Sequence, residues 1–451
     1  MTTPIHYPAE LEIAPLSQAP DTHVPIPGSK SLTNRALILA ALADGTSALE
    51  GALFSEDTDV MAESLRRLGI GVEADADKET FVVQGQGGTV PAHEAELFVA
   101  NSGTSVRFLT ALTALGTGRY RLDGVERMQQ RPQQDLLDAL TDLGVSARSE
   151  RGTGCPPLIV EAAGGLPGGT ARVGAEASSQ FLTALLMVAP YARKDVTLEV
   201  VGALRPFYVD ITRRMMAQWG VQVRLQPSAA PRPGQSAPMR YHIAAGQRYT
   251  AQESYGIEPD ASGASYFFAA AAITGGRVTV PGLTADALQG DVRFALEVLA
   301  EMGCTVTSNT EGITVIGPPP GQLRGIERDM SAISDTSLTL AAIAPFANSP
   351  TVVHNIAHSR LQECDRISAA CTELTRLGVR VEERPDGFTV YPAEKLRPAE
   401  IETYGDHRVA MSFALIGLRV PGIVIRSPAC VAKTFPDYWQ RLERLYETVP
   451  A

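Results

Sequence analysis

The chain has 451 residues, 44% of them hydrophobic and 20% charged, with a formal net charge of −11 at pH 7. That composition is ordinary for a water-soluble globular protein of two or more domains, and its acidity excludes a protein that grips nucleic acid or anionic membrane by general electrostatics. Five cysteines (Cys155, Cys304, Cys364, Cys371, Cys430) without CxxC or His/Cys spacing exclude the common zinc motifs and suit thiols kept reduced. With no leader-like start and no apolar run approaching ~18 residues, the protein is expected in the cytoplasm.

In chain order, "PIPGSKSLTNRALILAAL" (Pro25 to Leu42) opens an apolar helix with Lys30, Ser31, Asn34 and Arg35, and "SLRRLGIGVE" stops a second helix at Gly69. "NSGTSVRFL" opens another apolar helix with Asn101, Ser102, Gly103, Thr104 and Arg107. The loop "RMQQRPQQD" carries Arg127 and Arg131 and leads to "LLDALTDLGVSAR", which stops at Gly144. Ser178, Ser179 and Gln180 open "FLTALLMVA", and "ITRRMMAQWGVQVR" stops at Gly220. "PSAAPRPGQSAP" reads as a surface loop ahead of the strand-like "RYHIAA". Asp260 and Ser262 open "YFFAAAAI", "FALEVLAEMGCTVT" stops at Gly303, and Asp335 opens a fifth apolar helix. "RLQECDR" carries Arg360 and Arg366, "CTELTRLGVRVEE" stops at Gly378, and Asp406, His407 and Arg408 open "VAMSFALIGL". Lys433, in "VAKTFPDYW", stands just ahead of the last helix.

The five stop glycines lie 75, 76, 83 and 75 residues apart, which is the signal of a repeat. Six units of helix, strand, helix, strand account for the chain, three on each side of a hinge near Glu258. The first helix of each unit is apolar nearly all round and must be buried, so only its opening is left to meet a ligand.

Ser, Asp and Asn at those openings are ordinary helix caps. Lys30, Arg35, Arg107 and Arg408 are not, because the helix N-terminus is already positive and disfavours cations. An anion bound there removes the conflict. Arg127, Arg131, Arg360, Arg366 and Lys433, gathered on one wall, would complete a pocket for phosphates and carboxylates. "PGSKSLTNR" is not a P-loop, since its Gly and Lys are not adjacent and the leading Gly is missing, and no GxSxG nucleophile motif occurs.

Together, "PGSKSLTNRAL", "NSGTSVRFL", "RMQQRP", "SSQFLTALLM", "DASGASYFFAAAAI", "ECDRISA", "GDHRVAM" and "AKTFPDYW" closely resemble the 3-phosphoshikimate 1-carboxyvinyltransferase (5-enolpyruvylshikimate-3-phosphate synthase) family over nearly the whole length. The resemblance implies an α/β fold of two similar domains, each of three βαβαββ repeats forming an inside-out barrel. One domain comprises residues 1–27 and 260–451 and the other 28–259, with the site in the cleft. It implies transfer of enolpyruvyl from phosphoenolpyruvate to the 5-hydroxyl of shikimate 3-phosphate with release of phosphate, by a monomer using no metal or organic cofactor. Phosphoenolpyruvate would meet Lys30, Gly103, Arg131, Gln180, Arg366, His407, Arg408 and Lys433. Shikimate 3-phosphate would meet Lys30, Ser31, Arg35, Ser178, Ser179, Gln180, Asp335, His358 and Gln362. Asp335 would be the hydroxyl's base, with Glu363 and Lys30 handling the proton at the methylene carbon.

The chain departs from the family pattern where "NWRVKETDR" reads "HSRLQECDR", so that His358 replaces an Asn and Gln362 a Lys, and where "SKPY" becomes "LRPFYVD", supplying Arg205. The resemblance further implies that a chain with Gly103 is sensitive to glyphosate, which takes the phosphoenolpyruvate position. The sister transferase acting on UDP-N-acetylglucosamine commonly carries a Cys in the loop matching "VERMQQRPQQD", which has none here. A non-catalytic anion-binding module would not need Asp335, Glu363 and Lys30 together.

Overall fold

The computed structural model describes residues 7–175, 178–202, 204, 206–227 and 239–447. The chain splits into two compact units, residues 30–257 and residues 1–29 with 258–451. These crossovers fall beside Ser29 and Glu258, against the 27/28 and 259/260 suggested by the sequence.

In the continuous unit the helices are α1 (Lys30–Leu42), α2 (Glu56–Arg67), α3 (Gly103–Thr113), α4 (Gln134–Asp142), α5 (Gln180–Val188) and α6 (Pro206–Gln218). Every residue of α3 is buried, as are Leu32–Leu42 of α1 and Phe181–Val188 of α5, and these three helices pack on one another. A helix with no polar face is stable only inside, where each buried Leu, Ile or Phe contributes roughly 1.5–3 kcal/mol. By contrast α2 and α4 keep one polar face and lie outside.

The discontinuous unit repeats the plan. It contains α7 (Ala261–Thr274), α8 (Ser337–Ile343), α9 (Arg366–Arg376), α10 (His407–Gly417) and α11 (Tyr438–Glu443). Here α7, α8 and α10 are buried along their whole length and pack together. The helix expected to stop at Gly303 is wound partly as a π-helix, over Phe294–Leu299.

Among the described residues six sheets cover these inner helices. In four of them the strand before an inner helix lies parallel to the strand after it, and in all six the strand after the helix also has an antiparallel neighbour. Glu94–Phe98 runs parallel to Thr117–Asp123 across α3, for example, and Leu158–Ala163 and Ser146–Ser149 then add antiparallel. Three sheets recruit a strand from the far end of their unit: Tyr255–Gly256 pairs with Asp44–Glu50, Asp21–His23 with Arg277–Pro281, and Glu10–Ile13 with Ile423–Arg426. The sixth sheet has only three strands, because the first chain strand stands where the other repeats have a hairpin. The α/β class and the βαβαββ repeat are as the sequence implies, with helices inside and sheets outside in each unit.

The five stop glycines all have left-handed backbone, with φ from 84° at Gly378 to 103° at Gly303, and each sits two residues past its helix. Residues 228–238 of the Pro-rich loop and Arg205 lie outside the described residues. Among the described residues no helix is long and apolar enough to cross a membrane.

Candidate active site

In the continuous unit the cations at the openings of the inner helices divide into two kinds. Lys30 Nζ, at the first residue of α1, stands 3.4 Å from Asp57 Oδ2, a carboxylate only 3% exposed in the first turn of α2. Arg131 is held from the end of its loop: Nη1 donates to the Asn101 carbonyl at 2.9 Å and to Asn101 Oδ1 at 3.3 Å. Arg107 Nη1 donates to Gln180 Oε1 at 2.6 Å, tying the openings of α3 and α5, while its guanidinium lies 5.0 Å from the Phe181 ring centre. Ser178 Oγ accepts the Gln180 N–H at 3.2 Å, and Ser178 and Ser179 are both buried.

Arg35 is the exception. Its Nε donates to Thr212 Oγ1 at 2.8 Å, Nη1 to the Ser31 carbonyl at 2.8 Å and Nη2 to the Tyr208 carbonyl at 3.3 Å, and its guanidinium lies over the Phe108 ring. Burial lowers its pKa to about 10. Here the arginine bolts α1 to α6 within the core, and it touches Ser31 from behind.

The discontinuous unit gathers the rest. Arg366, the first residue of α9 and 3% exposed, donates from Nε to Asp406 Oδ2 at 2.8 Å, from Nη2 to Glu363 Oε2 at 2.9 Å, and from Nη1 to Asp335 Oδ1 at 3.3 Å and to Gln362 Oε1. Arg408, in the first turn of α10, donates from Nη2 to Asp335 Oδ2 at 2.7 Å and from Nη1 to the Tyr266 hydroxyl at 3.4 Å. Lys433 Nζ donates to Glu363 Oε1 at 2.6 Å. Three carboxylates and three cations thus interleave, with every cation nearly buried.

Burial opposes the charge on Arg366, but Asp406 and Glu363 outweigh it and hold its pKa above the usual range; Asp335 does the same for Arg408. The conflict between cations and helix N-termini is therefore relieved in part by the chain's own carboxylates. Behind them, burial and then the Asp335 charge raise Asp291 to about 7; its Oδ2 accepts from Ser262 Oγ at 2.9 Å. His407 is 1% exposed, with Nδ1 3.6 Å from Asp406 Oδ1. His358 Nε2 is 2.8 Å from Ser334 Oγ, beside Asp335.

Arg360 does not join this group, since it is spent on Asp365, Glu383 and the carbonyls of Arg384 and Pro385. Arg127 meets Gln130 at 3.2 Å in its own loop. Nothing in the local sequence marks Asp57 as the partner of Lys30, and Asp406 reads from sequence as one more cap although it anchors Arg366. Both stand at helix starts, where an acidic residue is what the dipole favours anyway.

The EPSP synthase (3-phosphoshikimate 1-carboxyvinyltransferase) family model matches residues 17–442. A 3-phosphoshikimate 1-carboxyvinyltransferase of Nostoc punctiforme is 50% identical over 438 residues, covering 97% of this chain and 99% of that protein. The chloroplastic protein of that name from Arabidopsis thaliana is 44% identical over 435 residues, covering 94% of this chain and 82% of its own. Among solved structures, an EPSP synthase from Acinetobacter baumannii superposes with a TM-score of 0.79 at 25% identity, over 97% of this chain and 98% of that one. The enolpyruvyl transferase NikO from Streptomyces tendae, at 20% identity and a TM-score of 0.73 over 97% and 98% of the two chains, shares the fold.

Proposed function

Since the chain belongs to the EPSP synthase family, an enzyme of the shikimate pathway that transfers enolpyruvyl from phosphoenolpyruvate to shikimate 3-phosphate, we propose which of its residues carry the reaction. Phosphoenolpyruvate is held by Lys30, Arg131, Gln180, Arg366, His407, Arg408 and Lys433, with Gly103 leaving room for the Arg131 guanidinium. Shikimate 3-phosphate is held by Lys30, Ser31, Ser178, Ser179, Gln180, His358 and Gln362. Arg35 contributes through the Ser31 carbonyl it grips.

The observation that carries this reading is the interleaved ion network. Arg366 and Arg408 both hold Asp335, and Lys433 holds Glu363. A substrate carboxylate or phosphate competes for those guanidiniums, which prefer such planar or multiply charged partners, and leaves the Asp335 oxygens open to the 5-hydroxyl. Asp335 then takes the hydroxyl proton while the oxygen bonds to C2 of phosphoenolpyruvate. Glu363, with Lys30, delivers a proton to the methylene carbon, which becomes a methyl group. In the second half a proton leaves that methyl, the double bond re-forms and the C2–O bond to phosphate breaks. The cations offset the charge of three anionic groups throughout.

We read the enzyme as a cytoplasmic monomer; its five free cysteines support a reducing compartment. Phosphate release from purified protein with shikimate 3-phosphate and phosphoenolpyruvate tests the reading. No release, or release only when UDP-N-acetylglucosamine replaces shikimate 3-phosphate, overturns it.

A further inference from the structure

Glu373, on α9, is a fully buried carboxylate outside the ion network. Burying a charge is costly, and an apolar side chain would fill the space. Its donors show what it is fastened to. Oε1 accepts the Tyr404 hydroxyl at 2.7 Å, Oε2 accepts the Glu402 N–H at 3.2 Å, and the half-exposed Arg376 closes the remaining side with Nε 3.0 Å from Oε2. Burial, and next the hydrogen bond to Glu373, push the Tyr404 pKa well up, so the phenol stays a donor.

Residues 402–405 form the turn that leads into α10. Tyr404 takes left-handed backbone there, with φ 54°, unusual for a residue with a side chain. The Glu402 carboxylate accepts the N–H groups of Thr403 and Tyr404 at 3.1 and 3.3 Å, and the Asp406 N–H reaches the Thr403 carbonyl at 2.8 Å. Immediately beyond come Asp406, His407 and Arg408. The same helix grips both ends of this segment: Arg366 holds the Asp406 side chain, and Glu373, seven residues and about 10 Å further along the same face, holds the turn.

We propose that Glu373 and Tyr404 are positioning residues: joined by their hydrogen bond, they set the turn that presents Arg408, and through it the affinity for phosphoenolpyruvate. The proposal rests on the assignment of Arg408 to that substrate. A strained tyrosine wedged against a buried carboxylate fixes where α10 starts, which a flexible turn before a helix would not.

Steady-state kinetics of Tyr404→Phe, Glu373→Gln, Arg408→Lys and the double variant Tyr404→Phe/Arg408→Lys test it. Tyr404→Phe deletes one hydrogen bond at a partly exposed ring. It should raise KM for phosphoenolpyruvate about five-fold while KM for shikimate 3-phosphate stays within about two-fold. Its melting temperature should stay close to wild type. Glu373→Gln, which keeps an acceptor for the phenol, should have the smaller effect. In the Arg408→Lys background Tyr404→Phe should add nothing, because the two act on one interaction. An unchanged phosphoenolpyruvate KM for Tyr404→Phe, fully additive effects in the double variant, or equal rises in both KM values with a lowered melting temperature would each overturn the proposal. Arg408→Lys alone separates the two claims. If it leaves phosphoenolpyruvate KM unchanged, the assignment of Arg408 fails and takes the proposal with it; if it raises KM while Tyr404→Phe is silent, only the proposal fails.

Discussion

The Arg131 guanidinium occupies the space in which a side chain on Gly103 would begin: a Cβ built on Gly103 lies 2.5 Å from Arg131 Nη2 and 2.9 Å from Cζ. Gly103 is the first residue of α3 and is not among the residues with positive φ, so no turn conformation demands glycine here. The glycine is bare because an arginine fills its place.

Gly103→Ala should therefore fold, with the methyl pushing aside the end of a flexible side chain. Displacing Arg131 should weaken glyphosate, the longer ligand, more than phosphoenolpyruvate. Inhibition and phosphoenolpyruvate KM measured side by side check the ratio, and equal losses would count against it. In an Arg131→Ala background the Gly103→Ala effect should shrink, since the methyl then has nothing to displace.

Asp335→Asn preserves shape but cannot take the hydroxyl's proton. Turnover should fall by roughly a hundred-fold or more, with KM values within a few fold. Single-turnover phosphate release reads the chemical step directly; a rate within a few fold of wild type removes Asp335 as the base.

Asp291 makes stability depend on pH. Its pKa is about 7 in the folded chain against 3.8 for the free group, so between pH 4 and 7 the folded state holds a proton that the unfolded state has lost. Stability contributed at low pH is thus lost as pH rises through that window, by up to a few kcal/mol. Asp291→Asn carries no charge and removes the slope, so its advantage over wild type in urea should grow from pH 5 to pH 8. Trp219 and Trp439 are the only tryptophans; in a Trp219→Phe background Trp439 reports on the unit that contains Asp291. Parallel pH curves would contradict the assignment.

Arg35→Lys should behave as a core mutation, costing about 2–4 kcal/mol, because a lysine cannot reach Thr212 and two carbonyls at once. Loss of shikimate 3-phosphate affinity without loss of melting temperature would show instead that Arg35 binds the substrate directly.

Much of the scaffold was legible in one dimension. The helices from Ala261 and Gly103 have no polar face and can only lie inside, and Gly69 or Gly378 past a helix end marks a left-handed stop wherever it occurs. Such signals are local, depending on a few consecutive residues and the geometry of one helix. Even the anion-binding openings follow from a local contradiction, cations at positive helix ends. Pairing is not local. Lys433 meets Glu363 across 70 residues, Arg408 meets Asp335 across 73 and Arg366 meets Asp406 across 40. Only the packing of separate repeats brings such groups within 3 Å. While the folding of a single repeat set Arg131 against Gly103, the same packing of separate repeats made Arg35 a bolt. It also fastened Glu373 to Tyr404, because a side chain's role depends on what the fold places at its tip, and its neighbours in sequence do not record that.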